Sequence, residues 1–325
     1  MLGDHSLNKR NMNKLTMLMS EFGAEFYPKK KINFPLDFIS SSLPIGINYE
    51  STVSAQLKSA VILAGLNSFG TTTINEKNKS RNHTENFLLK SSKVLKIKKN
   101  IIKVTGKRQL DPFKLSVPGD PSSAAFFVAL TLLKNNSFLK IKNVGLNDRR
   151  IGFYNLLKKS GAKIKFKNLK KINNEPMGDI EIYSSKIKPI KANSTYYVSA
   201  TDEYPIMFII SALTNGVSIF KGIGDLANKE SNRIKEMGKI LKQAGVKCII
   251  KKNEMKIFGK KNLSTKNKFI KVPNLGDHRI CMSSMILSLI TGIKSNIKNF
   301  ETVGTSSPSF LKIINELGGT FEVKK

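Results

Sequence analysis

Apolar positions in this chain fall into two alternating kinds of run. One kind is almost continuously apolar, as in AAFFVALTLL at 124–133 and IMFIISALTN at 206–215. The other places apolar residues every three or four positions and ends near glycine, as in IKEMGKILKQA at 234–244 before Gly245. A continuous run predicts a helix buried on all sides, and a 3.6-residue period predicts a helix lying on a surface. Short β-branched stretches follow each: VSIFKGI after the first kind and VKCIIKK after the second. A polar loop opens each helix, DEYP for one and NKESNR for the other.

The same grammar recurs along the chain. SAQLKSAVILAGLNSFG leads to TTTINEK and then SRNHTENFLLK; DPSSAAFFVALTLLKNN leads to SFLKIKNV and then NDRRIGFYNLLKKSGAKIKF. DHRICMSSMILSLITG leads to IKSNIKNF and then GTSSPSFLKIINELGGTFEV. The first helices open near Gln56, Ser123, Glu203 and Arg279, at intervals of 67, 80 and 76 residues. Repetition at this scale predicts stacked supersecondary units, and alternating helices and short strands predict an α/β fold with helices on sheets. Residues 9–28, KRNMNKLTMLMSEFGAEFYP, match only the second half of a unit. The expectation is therefore one half unit plus four whole ones, with an upstream segment missing or separately encoded. One and a half units in a first domain would leave open strand edges and uncovered apolar helix faces.

The formal charge of +32 over 325 residues would attract polyanions. The charge is spread along the whole length, however, often as Lys beside Asn, and lacks the stacking aromatics and arginine strips of a nucleic-acid module. This argues against a specific nucleic-acid partner. Two cysteines, Cys248 and Cys281, have no metal-ligand spacing and predict a reducing compartment. The three histidines, His5, His83 and His278, form no metal motif. With no signal peptide and no spanning apolar run, a cytoplasmic protein without membrane attachment is expected.

Arginine carries more information. Only seven of the 55 basic residues are Arg, and four of them stand in short polar motifs: Arg10 in GDHSLNKR, Arg81 in SRNHTE, Arg233 in NKESNR and Arg279 in GDHR. A guanidinium retained where other cations have become Lys points to bidentate binding of phosphate or carboxylate. These motifs open helices, where unpaired N–H groups and the macrodipole favour anions. Ordinary N-capping accounts for part of the pattern, including Asp202, and Glu230 reads equally as an exposed first-turn carboxylate. Capping does not explain Gln56, Lys58, Glu230 or the arginines. His83 and His278 read as hydrogen-bonding supports and Arg150 as structural.

SAQLKSAVILAGL, SRNHTE, VPGDPSSAAFF, DEYPI, KESNR and GDHRICM, in this order over essentially the whole chain, resemble the EPSP synthase (3-phosphoshikimate 1-carboxyvinyltransferase) family. The resemblance implies two domains of βαβαββ units with substrates in the cleft between them. Residues 1–112 would be a partial first domain and 113–325 a three-repeat second domain. It implies transfer of the enolpyruvyl group of phosphoenolpyruvate to the 5-hydroxyl of shikimate 3-phosphate, with no metal or other cofactor, by a protein that is monomeric when complete. Ser54, Gln56, Arg81, Asp202 and Lys229 would bind shikimate 3-phosphate; Arg10, Gln56, Arg233 and Arg279 would bind phosphoenolpyruvate. Asp202 would be the general base and Glu230 a proton-handling carboxylate. The family's Lys-Ser-x-Ser-x-Arg run and Asn-Ala-Gly-Thr loop do not occur in the chain, so the resemblance also implies that this chain alone is inactive. Asn82, Asn11 and Ser307 depart from the usual Asp, Pro and aromatic residue. Two other readings stay open: the sister enzyme acting on UDP-N-acetylglucosamine, and a non-catalytic remnant that binds anions.

Overall fold

A computed structural model describes residues 1–4, 7–89, 94–112, 114–264 and 268–324. His5, Lys90 and Phe113, used in the sequence reading, lie outside the described residues. The chain divides into two compact units: Met1–Val117 together with Lys171–Pro176, and Pro118–Lys170 together with Met177–Lys325.

The repeats return as topology. In each whole copy a leading strand runs parallel to the strand that follows the apolar helix. Asn48–Ser51 pairs with Thr71–Glu76, Lys191–Ala192 with Gly216–Lys221, and Phe269–Val272 with Lys294–Ile297. In the remaining copy the pairing is a single bridge, Gly119 to Val144. Parallel neighbours need a crossover, and the helices Ala55–Asn67, Pro121–Leu133, Tyr204–Ala212 and His278–Thr291 supply it. Antiparallel strands then complete two four-stranded sheets of the same order. One adds Ile101–Thr105 and Leu95–Lys98, the other Glu254–Gly259 and Lys247–Lys251.

Two glycines at equivalent places show how tightly helix and sheet meet. A Cβ on Gly106 would lie 1.8 Å from the Ser68 carbonyl oxygen, and one on Gly259 would lie 2.0 Å from that of Ser211. Both carbonyls belong to the C-terminal turn of an apolar helix, so only glycine lets the last strand approach it.

The continuous apolar runs are buried as expected. Every residue of Tyr204–Ala212 is buried, and this helix packs with Pro121–Leu133 and His278–Thr291 at the centre of the second unit. The 3.6-period helices Gly152–Lys159 and Arg233–Gln243 lie outside them, with Leu156, Leu157, Met237 and Leu241 facing inward. The first unit has a smaller core around Val61, Ile62, Ile74, Ile102 and Val104, onto which Asn13–Glu21 adds Leu18. Leu63 and Phe69 of this unit are 53% and 47% exposed. One expected strand is absent: TFEV at 320–323 forms no ladder. Among the described residues the sheet of the last copy holds only its parallel pair, and a strand without a partner's backbone groups has no hydrogen bonds to define it.

Candidate active site

The three buried helices of the second unit begin with acidic residues. Asp120 accepts hydrogen bonds from the Ser122 and Ser123 N–H groups, and Asp277 accepts from that of Arg279 at 3.1 Å. Glu203 holds the corresponding place before Tyr204–Ala212 but makes no side-chain cap. Its carboxylate instead takes the Ser122 hydroxyl and lies 3.4 Å from Arg150 Nη1.

Arg150 is the hub of this cluster. Its Nη2 is 3.1 Å from Asp120 Oδ1, and its Nη1 is 3.3 Å from Asp202 Oδ2 as well as 3.4 Å from Glu203. Burial opposes the guanidinium's charge, yet Glu203, Asp202 and Asp120 outweigh it and raise its pKa. Glu203 is 1% exposed. Burial pushes its pKa up against the pull of Arg150, and neighbouring Asp202 adds to the rise. Its Oε2 has no partner among the described residues.

Asp202 sits on the single turn Thr201–Glu203 ahead of the buried helix. Its carboxylate pairs with Arg150, 3.3 Å away. It lies between two arginines, with Arg279 Nη2 at 3.7 Å on the other side, while Arg279 Nη1 donates to the Asp202 carbonyl at 3.3 Å. The Asp202 side chain keeps 20% exposure.

The second arginine group adjoins through Asp277. Arg233 is 1% exposed, with Nε 2.9 Å from Asp277 Oδ2 and Nη2 2.5 Å from Glu230 Oε2. Ser231 Oγ donates to the same Asp277 oxygen at 2.9 Å. Glu230 is therefore not the fully exposed first-turn carboxylate of the bland reading: its side chain is 21% exposed and held by Arg233. Arg233 is correspondingly sunk behind it, not displayed as an open fork. Lys229 points elsewhere, to Asp225 at 2.8 Å and over the Tyr197 ring. Burial opposes the Asp225 charge, but hydrogen bonds from Lys229 and Tyr197 hold its pKa below the ordinary value.

The remaining expected residues belong to the first unit. Ser54 caps Ala55–Asn67 by accepting from Leu57 N, and Gln56 is exposed in the first turn. Arg81 is half-buried just ahead of His83–Leu88, and Arg10 is exposed after the short turn Leu7–Lys9. His83 supports this region through Nδ1, 3.0 Å from Glu175. His278 does not behave as a hydrogen-bonding support: its buried Nε2 has no partner among the described residues, and burial followed by Arg279 lowers its pKa. Burial pushes both thiols up to about 12, which disfavours the thiolate. Among the described residues no group of three His, Cys, Asp or Glu could hold a metal, and no helix is long and apolar enough to cross a membrane.

The EPSP synthase (3-phosphoshikimate 1-carboxyvinyltransferase) family model matches residues 1–314. The chain belongs to the EPSP synthase family. It is 36% identical to the 3-phosphoshikimate 1-carboxyvinyltransferase of Zymomonas mobilis, over 99% of this chain and 73% of that protein. It is also 36% identical to that of Bacillus subtilis, over 97% of this chain and 73% of that protein. The structure of EPSP synthase from Acinetobacter baumannii superposes with a TM-score of 0.87 at 32% identity, covering all of this chain and 74% of that one. The enolpyruvyl transferase NikO from Streptomyces tendae shares the fold at a TM-score of 0.75 and 12% identity. The α/β enolpyruvyl transferase fold expected from the sequence is thus the fold of this chain.

Arg150, read as structural, is the buried hub of this ion-pair cluster, whereas sequence reasoning missed the part played by Asp120, Glu203 and Asp277. Arg150 carried a usable signal, since it is one of seven arginines in a lysine-rich chain. The acidic residues carried only the signature of helix caps.

Proposed function

We propose that this chain carries the residues of an enzyme that transfers the enolpyruvyl group of phosphoenolpyruvate to the 5-hydroxyl of shikimate 3-phosphate, releasing phosphate, in the cytoplasm. The reading treats residues 1–112 as part of the family's first domain and 113–325 as its second. The observation that carries it is Asp202: a partly exposed carboxylate paired with two arginines at the opening of a buried helix.

A hydroxyl becomes a nucleophile when a base takes its proton as the new bond forms. Asp202 accepts the 5-hydroxyl proton while that oxygen bonds to C2 of phosphoenolpyruvate. Glu230 delivers a proton to C3, giving a tetrahedral adduct. Loss of phosphate from C2 and of a proton from C3 then restores the double bond in the product. Ser54, Gln56, Arg81 and Lys229 hold shikimate 3-phosphate. Arg10, Gln56 and Arg279 hold phosphoenolpyruvate, and Arg233 contributes positive charge from behind Glu230. Fixed cations oppose the charge that accumulates along this path without reorganising.

Calorimetric titration with shikimate 3-phosphate, UDP-N-acetylglucosamine and heparin tests the reading. Saturable binding of shikimate 3-phosphate that is lost in Arg81→Ala is expected. Preference for the nucleotide sugar would assign the sister reaction. Weak, salt-sensitive binding of heparin alone would reduce the chain to an anion binder.

A further inference from the structure

Lys58 is the only buried lysine among the described residues, at 0% exposure. Its ammonium lies 2.6 Å from Glu76 Oε1 and 2.6 Å from Glu85 Oε1, both also buried. The three residues come from three elements: the helix that Ser54 caps, the end of strand Thr71–Glu76, and helix His83–Leu88. Glu76 Oε1 also accepts from Ser80 N at 2.9 Å and Ser80 Oγ at 3.1 Å. A second tie joins the same helices, Ser59 Oγ to Thr84 Oγ1 at 2.7 Å. The backbone on both sides of Arg81 is therefore anchored, at Ser80 and at Thr84–Glu85, to the helix that presents Gln56.

Stability alone is a poor explanation. Desolvating an ammonium and two carboxylates costs about as much as their attraction returns, and apolar residues of similar volume commonly do as well. What a buried ionic cluster adds is direction, because each oxygen fixes the ammonium at one place and so fixes the elements that carry them. We propose that Lys58 is a positioning residue for the phosphate-bearing acceptor: with Glu76 and Glu85 it sets Arg81 against Ser54 and Gln56. The inference rests on the shikimate 3-phosphate role proposed for those three residues. None of the cluster touches ligand, and its effect passes through the Arg81 backbone.

Two variants test it: Glu85→Gln, and the charge-free Lys58→Met/Glu76→Gln/Glu85→Gln, which avoids stranding a buried charge should the single change fail to fold. Amide hydrogen exchange over residues 80–89 is expected to accelerate about tenfold or more, with the strands 71–76 and 101–105 unchanged. The dissociation constant for shikimate 3-phosphate should rise about tenfold or more, as displaced contacts predict. Wild-type exchange over 80–89 overturns the inference, as does loosening of the whole unit or wild-type affinity despite local loosening. Should the unaltered chain bind no shikimate 3-phosphate, the substrate reading fails by itself, and the exchange measurement alone decides whether the cluster orders the Arg81 segment.

Discussion

Arg150→Met removes a cation that Asp120, Asp202 and Glu203 share. Asp120 is 44% exposed and loses little, since solvent screens it. Glu203 is enclosed, with Arg150 its nearest cation and the Ser122 hydroxyl its hydrogen-bond donor. Stripping one partner from a buried ion pair costs about 3–5 kcal/mol. At about 2–4 °C per kcal/mol, the unfolding midpoint should fall by roughly 6–20 °C at pH 7.5. The pH dependence identifies the cause. Glu203 already has a raised folded-state pKa, and losing Arg150 raises it further. A raised carboxyl supports folding below its unfolded pKa and withdraws that support as pH rises through the folded value. The deficit of Arg150→Met should therefore shrink toward pH 5 and widen toward pH 8. Thermal unfolding of wild type, Arg150→Met and Arg150→Met/Glu203→Gln, followed by circular dichroism across that range, measures this. The double variant should recover most of the loss at pH 7.5 and show no widening. A deficit under about 1 kcal/mol, or one independent of pH, refutes the reasoning.

Asp277→Asn keeps a residue able to cap His278–Thr291 but removes the charge facing Arg233. A loss of about 1.5–3 kcal/mol in urea unfolding is expected, whereas a loss of a few tenths would mean that only the cap matters. Gly259→Ala drives a methyl into the Ser211 and Thr214 carbonyl oxygens, at 2.0 and 2.2 Å, which are backbone and cannot swing aside. It should cost about 1–3 kcal/mol or more, and wild-type stability would show that strand and helix can separate. Asp225→Asn, at a half-exposed pair with Lys229, should change stability by less than about 1 kcal/mol at pH 7. Because the folded pKa of Asp225 is depressed, even that contribution exists only above its unfolded value and vanishes as pH falls through the folded one, so the two proteins should converge in acid.

Much of this architecture is local in origin. The run at 206–213, apolar but for Ser211, has no polar face to turn toward water, so it had to be an enclosed helix, and the period of 234–244 had to lie on a surface. Asp120 before Pro121, and Asp277 with Gly292 at the far end, marked helix limits through contacts one to four residues apart. The repeat and the motifs SRNHTE, DEYP, KESNR and GDHR carried the family in the same way.

The partnerships within the site were not legible. Arg150 meets Glu203 across 53 residues of sequence and Arg233 meets Asp277 across 44, distances over which no periodicity constrains a pair. Asp202 read as a general base by resemblance and, by its place at a helix opening, equally as a cap. Tertiary packing is what brings Arg150 within 3.1–3.4 Å of Asp120, Asp202 and Glu203. Lys58 shows the same limit: its sequence marked it as unexplained, but burial and two glutamates reached through separate elements define what it does. Secondary structure and family follow from interactions between near neighbours in sequence. Which charge faces which is decided by the tertiary fold, because electrostatic energy depends on distance and dielectric in space.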